Sequence, residues 1–340
     1  MHKLRPYFLW LFSLNTAMDN YRAIMEVAKW LGPEDLLRST EEVNSKWREV
    51  SASRELWLDL LPVPVDLGGA CPKQYYSTHF TKSVYVVTSS ALKRYYVVAK
   101  IWVVKPLSKA IETDWQTSMT LPLPSTLLIC GTMSRRENTF TVNTHTGKVR
   151  VLGSINPHRQ GIGLISTNGV AYAFGGVNTL QTNKLDLKGT MWAAIAGATV
   201  KRAYFNPCLQ GEIVYLLGGS REESQGEKYD LRTGSFSLMS LKLDINVSFA
   251  LIRNETLIIV TGFDYIKRKL TSQKPVIMHK MPKPWLFPSF HSSYDPVTVG
   301  TKAFILHRAG AQVVELDLTA FTWEAASYEG EIRPRMKGRG

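Results

Sequence analysis

Hydrophobic positions along the chain come in short runs that stop at glycine or a small polar residue, and the same order of events returns repeatedly. Around Ile213 the chain reads Ile-Val-Tyr-Leu-Leu and then Gly218-Gly219. A short apolar run bounded in this way is a buried strand. Glycine ends it because glycine takes positive φ without steric cost. Tyr229-Asp230 opens the next strand, and Phe236, seven residues after the tyrosine, anchors a third.

The same gap of seven separates Leu185 from Trp192, Leu316 from Trp323, Met278 from Trp285 and Val142 from Val149. Asp186, Asp230 and Asp317 follow the first residue in three of these units, with Asn143 and His279 in the others. Strand-end pairs fall at Cys130-Gly131, Gly175-Gly176, Gly218-Gly219, Thr261-Gly262 and His307-Arg308, and a degenerate one at Thr88-Ser89 follows the run 83–87. Successive pairs lie 42 to 46 residues apart, a period that means propeller blades or a solenoid. A further short strand precedes each strand-end, at 160–165, 202–205 and 247–252 for example. Four strands per unit and about six units predict a mainly β fold, a roughly six-bladed β-propeller over 74–327. One four-stranded sheet cannot bury both faces, whereas six arranged radially bury them against one another.

The N-terminal part carries a different period. Ile24, Val27, Ala28 and Leu31 form one helical stripe, Gly32 fits its C-terminal cap, and Pro33 fits the first position of a second helix. Leu36, Val43, Trp47 and Val50 continue a helical stripe, and Ser53 can cap a third helix carrying Leu56, Trp57 and Leu60. Three short helices over 18–61 bury little by themselves. Residues 1–17, a basic start followed by the short apolar run 7–12 and small residues near Thr16-Ala17, have the layout either of a weak signal peptide or of an N-terminal extension, the run being far below a membrane-spanning length. Residues 62–73 are rich in Pro and Gly and read as a linker, and 328–340 as a basic tail.

The segment Trp30-Leu-Gly-Pro-Glu-Asp-Leu-Leu-Arg38, then Val43-Asn-Ser-Lys-Trp47-Arg-Glu-Val50, then Glu55-Leu-Trp57, resembles an F-box. The family's opening Leu-Pro is missing near Asp19-Asn20, and one extra residue separates Leu37 from Val43. The resemblance implies docking on the Skp adaptor of a cullin–RING ubiquitin ligase, with Leu36, Leu37, Val43, Trp47, Leu56 and Trp57 as the adaptor-binding positions. The repeats, with their strand-end Gly-Gly, aromatic-Asp step and Trp192 or Trp323, resemble kelch. An F-box followed by kelch repeats implies a ligase receptor whose propeller holds the protein substrate.

In an up-and-down blade the loops after strands two and four emerge on one face. The second loops (132–138, 177–183, 220–227, 263–273 and 308–312) are polar and variable, as functional loops on a rigid scaffold tend to be. Arg135, Arg136, Arg221, Lys267, Arg268, Lys269 and Arg308 lie in or beside them, and no acidic residue occurs between Tyr265 and Tyr294. With a formal net charge of +13, this ring is the expected substrate-binding surface, suited to an acidic or phosphorylated protein.

Other classes have less support. Arg333, Arg335, Lys337 and Arg339 in the tail could touch phosphates, but most aromatics fall at repeat positions, so nucleic acid is not the expected partner. The histidines are scattered without paired spacing, and no phosphate-cradling loop or nucleophile elbow occurs. The expectation is therefore a non-enzyme with no cofactor, no metal site and no small-molecule substrate. Cys71, Cys130 and Cys208 are widely spaced and odd in number, which favours a reducing cytoplasmic or nuclear compartment. No membrane association is expected. The alternative reading is a kelch propeller scaffold outside any ligase, its helices merely capping the ring.

Overall fold

The computed structural model describes residues 71–111, 117–123, 125–131, 139–155, 159–219, 225–242, 249–261, 264–270, 277–282, 296–307, 312–325 and 331–332, with 53, 56–57, 60–61, 247 and 272 besides. The chain divides into two compact units: 1–82 with 96–99 and 332–340, and 83–95 with 100–331.

The larger unit is mainly β and forms a six-bladed propeller built of six four-stranded sheets. Blade 1 uses β1 (Ser83–Val87), β2 (Ala91–Tyr96) and β3 (Ile101–Pro106); blade 2 uses β4 (Ser118–Leu123), β5 (Thr126–Cys130), β6 (Thr139–Asn143) and β7 (Val149–Val151). Blade 3 holds β8 (Gly163–Thr167), β9 (Val170–Phe174), β10 (Thr182–Asp186) and β11 (Ala193–Ile195), and blade 4 holds β12 (Cys208–Gln210), β13 (Ile213–Leu216), β14 (Gln225–Asp230) and β15 (Ser235–Lys242). Blade 5 comprises β16 (Phe249–Arg253), β17 (Thr256–Val260), β18 (Asp264–Lys269) and β19 (Met278–Lys280), and blade 6 comprises β20 (Val297–Val299), β21 (Lys302–His307), β22 (Gln312–Asp317) and β23 (Trp323–Ala325). The fourth strand of blade 1 is β24 (Glu331–Ile332), paired on β3, so an early and a late segment of the chain meet in one sheet and close the ring.

Each blade buries both faces against its neighbours. Leu128 and Cys130 of blade 2 pack with Leu164, Ala171 and Leu185 of blade 3, and Ile165 and Phe174 pack with Val214, Leu216 and Tyr229 of blade 4. Tyr215 and Leu217 then meet Leu257 and Ile259 of blade 5, and Phe249 and Ile258 meet Ala303, Ile305 and Val314 of blade 6. β21 in turn lies against β1. Each fully buried aliphatic side chain contributes about 1.5–3 kcal/mol, so the alternating apolar runs suffice to drive the ring together.

The repeat's polar signature has a structural cause. Asp230 Oδ1 accepts the backbone N–H groups of Arg232 (2.8 Å) and Thr233 (3.1 Å). Asp317 does the same for Thr319 and Ala320, Asp186 for Lys188, and Asn143 for His145 and Thr146. The acid after the aromatic therefore closes the turn between strands three and four, as an Asx-turn does. These backbone donors hold the Asp230 and Asp317 carboxyls below the ordinary aspartate range.

Three sequence expectations differ from the fold. Residues 83–87 form the first strand of blade 1 rather than a second one. Residues 202–205 are irregular, with Tyr204 at φ 57°, and blade 4 starts at Cys208. Met278 belongs to the fourth strand of blade 5 and not the third. The register shows why: Asp186, Asp230, Asp317 and Asn143 each pair with the first residue of strand two, and in blade 5 that place, opposite Thr256, is held by Lys269. Blade 5 lacks the acid by which the units were counted.

The smaller unit includes α1 (Pro72–His79), a helix that the reading of 62–73 as linker and of 74 onward as propeller does not foresee. The expected cap is present, with Ser53 Oγ accepting from Leu56 N–H at 3.4 Å. Trp57 lies 5.6 Å from the Tyr76 ring, and Phe80 meets Tyr96 edge-on at 4.9 Å. Leu60 is helical and half-buried, and the positions of the three-helix reading before Ser53 lie outside the described residues.

Candidate functional site

The second loops and the fourth-strand connections share one end of the propeller, and that end is built around two buried arginines. Arg159 and Arg202 each stand sixteen residues before the first glycine of a strand-end pair. They are 4% and 3% exposed. Arg159 Nη1 donates to Gly175 O (2.7 Å) and Gln181 O (2.5 Å), and Nη2 donates to Asn183 Oδ1 (2.5 Å). Arg202 repeats the arrangement one blade on, donating to Gly218 O (3.0 Å) and to Gln225 O. Each guanidinium thus ties together the two stems of its own blade's second loop.

The glycines make room for this. A side chain on Gly175 (φ +58°) would sit 2.4 Å from Arg202 O, and one on Gly218 (φ +66°) would sit 2.5 Å from Val247 Cβ. The next blade's incoming connection lies directly against the strand-end, and Gly176 N–H donates to Arg202 O at 2.8 Å across that seam.

The two copies differ in charge. Glu227 and Asn183 occupy the same register position, two residues before the Tyr229 and Leu185 positions. Glu227, fully buried, accepts from Thr199 N–H (2.7 Å) and Thr199 Oγ (2.6 Å), and its other oxygen lies 3.6 Å from Arg202 Nε. Among the described residues Arg159 has neutral acceptors, and burial pulls its guanidinium down to about 10. Burial likewise pushes the nearby Cys130 thiol up to about 11, so it remains protonated and unreactive at neutral pH. Chemically, the arrangement holds loop stems rigid. Among the described residues no cluster of His, Cys, Asp and Glu suits a metal ion, and no described helix is long and apolar enough to cross a membrane.

The predicted basic ring is only partly locatable. Arg135, Arg136, Arg221 and Arg308 lie outside the described residues. Lys267, Arg268 and Lys269 do not belong to a second loop, because β18 already starts at Asp264 and these residues are its last three. They stand toward the opposite end of the blade, where Arg268 donates to Ser272 O at 3.1 Å from Nε. Of the adaptor-binding positions, Leu36, Leu37, Val43 and Trp47 lie outside the described residues, and Leu56 and Trp57 are fully buried. Sequence reading missed Arg159 and Arg202; the spacing of sixteen before the first glycine was the available signal.

No protein-family model matches the chain, and no curated protein matches it.

Proposed function

We propose that the chain is a non-catalytic substrate receptor of a Skp–cullin–F-box ubiquitin ligase. The F-box-like helices recruit the Skp adaptor, and the second-loop end of a kelch-type propeller holds a protein substrate with acidic or phosphorylated character. The receptor adds proximity rather than chemistry, raising the effective concentration of a substrate lysine near the conjugating enzyme. The observation that carries the reading is the pairing of an F-box-like segment, its third helix capped by Ser53, with a six-bladed ring whose loop stems are pinned by Arg159 and Arg202. Pinned loops lose less conformational freedom when a partner binds, which is how a rigid scaffold gains affinity.

A second reading, a propeller scaffold outside any ligase, draws on the burial of Leu56 and Trp57, as expected of helices that only support the fold. A pull-down with recombinant Skp adaptor separates the two. Full-length chain is compared with a Leu36→Ala/Leu37→Ala variant whose propeller melts like the parent's. Capture by the parent and loss in the variant support the receptor. A folded parent that fails to bind leaves the scaffold. Substitution at Trp57 is unsuitable for this test, since it would disturb packing on Tyr76 before it disturbed docking.

A further inference from the structure

From the seam between blades 3 and 4 we infer that the second-loop end holds its partner protein there, through an Asp or Glu side chain of that protein with an apolar neighbour. The inference rests on the role proposed for that end and narrows it to one place and one chemistry. Three backbone segments are zipped together at the seam. Gly176 N–H donates to Arg202 O at 2.8 Å, Val177 N–H to Gln160 O at 3.0 Å, and Tyr204 N–H to Gly161 O at 2.6 Å. Val177 and Lys201 each stand one residue from the first of these bonds. Val177 is 43% exposed and Lys201 is exposed, so an apolar and a cationic side chain are presented on backbone that is already tied. A partner that binds there has little of the propeller to order.

The charge of the seam follows from a difference between the two blades. Glu227 faces Arg202 at 3.6 Å, which balances the guanidinium of blade 4. Arg159 of blade 3 lies directly under the seam, its Cβ 3.0 Å from where a side chain on Gly176 would begin. Its acceptors are two carbonyl oxygens and the Asn183 amide oxygen, so its charge is left to act on whatever covers the seam. Lys201 forms no ion pair among the described residues. From Asn138 to Gly211 the chain holds one acid, Asp186, and that residue closes a turn at the other end of β10. A carboxylate arriving at the seam therefore meets an exposed ammonium with a buried guanidinium beneath it, in surroundings that screen less than water does. A second copy of a chain of net charge +13 is a poor occupant, and a nucleic-acid strand needs a track of cations rather than one beside a valine. Glu222 and Glu223, in the second loop of blade 4, lie outside the described residues, and the test includes them.

The test selects dodecapeptides from a random phage-displayed library on the full-length chain, then measures the synthesised winners by fluorescence polarisation. Expected winners carry Asp or Glu beside an apolar residue, lose binding when that acid is changed to its amide, and slow amide exchange around Val177 and Lys201. Lys201→Glu should weaken them by about tenfold or more, and Val177→Ser by about threefold. Asn183→Asp is the sharper variant. It lies beneath the surface, 2% exposed, and should still weaken the winners by about threefold, because it neutralises Arg159 without altering an exposed atom. All three variants should melt no earlier than the parent. The inference is overturned if winners lack acids, protect other segments, ignore Lys201→Glu and Asn183→Asp, or are not obtained at all. It is overturned too if Glu222→Gln/Glu223→Gln tightens binding by more than about tenfold, since the chain's own loop then fills the seam. Skp-adaptor capture should be the same for all these variants. Capture without acidic winners sinks this inference alone, and acidic winners at the seam without capture sink the ligase reading alone.

Discussion

Replacing Glu227 by alanine should be among the most destabilising changes in the propeller. The carboxylate is fully buried and holds Thr199 through two hydrogen bonds of 2.7 and 2.6 Å while facing Arg202 at 3.6 Å. Its loss takes a carboxylate away from beside a guanidinium that is 3% exposed, a change that costs about 3–5 kcal/mol. Glu227→Gln keeps an acceptor for Thr199 and removes only the charge, so it should cost about 1–2 kcal/mol, the gap between charged and neutral hydrogen bonds. In a unit of this size each kcal/mol lowers the melting temperature by about 2–4 °C, so the alanine variant should melt roughly 10 °C early. The assay is calorimetry together with urea unfolding of Glu227→Gln, Arg202→Gln and the double variant. If the pair is coupled, the double variant costs less than the sum of the singles. Additive costs, or a loss below about 1 kcal/mol for the alanine variant, would refute the assignment of Arg202 and Glu227 as the clamp on the loop of blade 4.

Asn183→Asp should do the reverse in blade 3, giving Arg159 the carboxylate that blade 4 already has; a gain of about 1 kcal/mol is expected, and a lower melting temperature would contradict it. Of the three thiols, Cys71 is exposed while Cys130 and Cys208 are buried, so native protein should react with a disulfide reagent at one site and denatured protein at three. The Cys130 thiol, raised to about 11 from 9.0, holds its proton in the folded state between those values while the unfolded chain releases it. Its contribution is therefore complete below pH 9 and lost as pH rises toward 11, and Cys130→Ala should flatten that alkaline slope in unfolding titrations. Asp230 and Asp317 titrate below the ordinary aspartate range, so their turn-closing contribution is present above that range and fades as pH falls through the lowered values. Asp317→Ala should weaken the acid dependence of unfolding.

The period of the fold was legible because each unit repeats a backbone necessity. Gly175 and Gly218 are required wherever the next blade presses on a strand-end, and Asp186, Asp230 and Asp317 are required wherever a tight turn exposes backbone donors. Where a unit meets the same need differently, the pattern misleads. Blade 5 places Arg268 and Lys269 at the aromatic-Asp position, and Arg268 reaches Ser272 O in the following turn. A search for a gap of seven then settles on Met278, one strand too late. Blade 1 has no glycine pair and borrows its fourth strand from Glu331–Ile332, a segment too short for any periodicity to announce. The expected basic ring lost Lys267, Arg268 and Lys269 for the same reason, since a shifted strand carries its charges to the other end of the blade.

Net charge is the least transferable part of the sequence reading. The formal value of +13 counts every Lys and Arg as though a partner could meet it. Arg94, Arg159 and Arg202 are each under 5% exposed, and the latter two face inward to carbonyl oxygens of their own loops. Such side chains are too enclosed to offer a partner a hydrogen bond, although their charge still adds to the field of the protein. Glu227 is withdrawn in the same way, fully buried beside Arg202 and Thr199, whereas Asp230 closes its turn and still carries its charge at the surface. What a partner meets is the remainder, and that remainder depends on which charges each blade consumes. Blade 4 encloses Glu227 in its own architecture and leaves Lys228, Asp230 and Arg232 at least partly open to solvent. Which charges reach a partner therefore follows from how the turns and loops of each blade are tied, which a count of charged residues cannot convey.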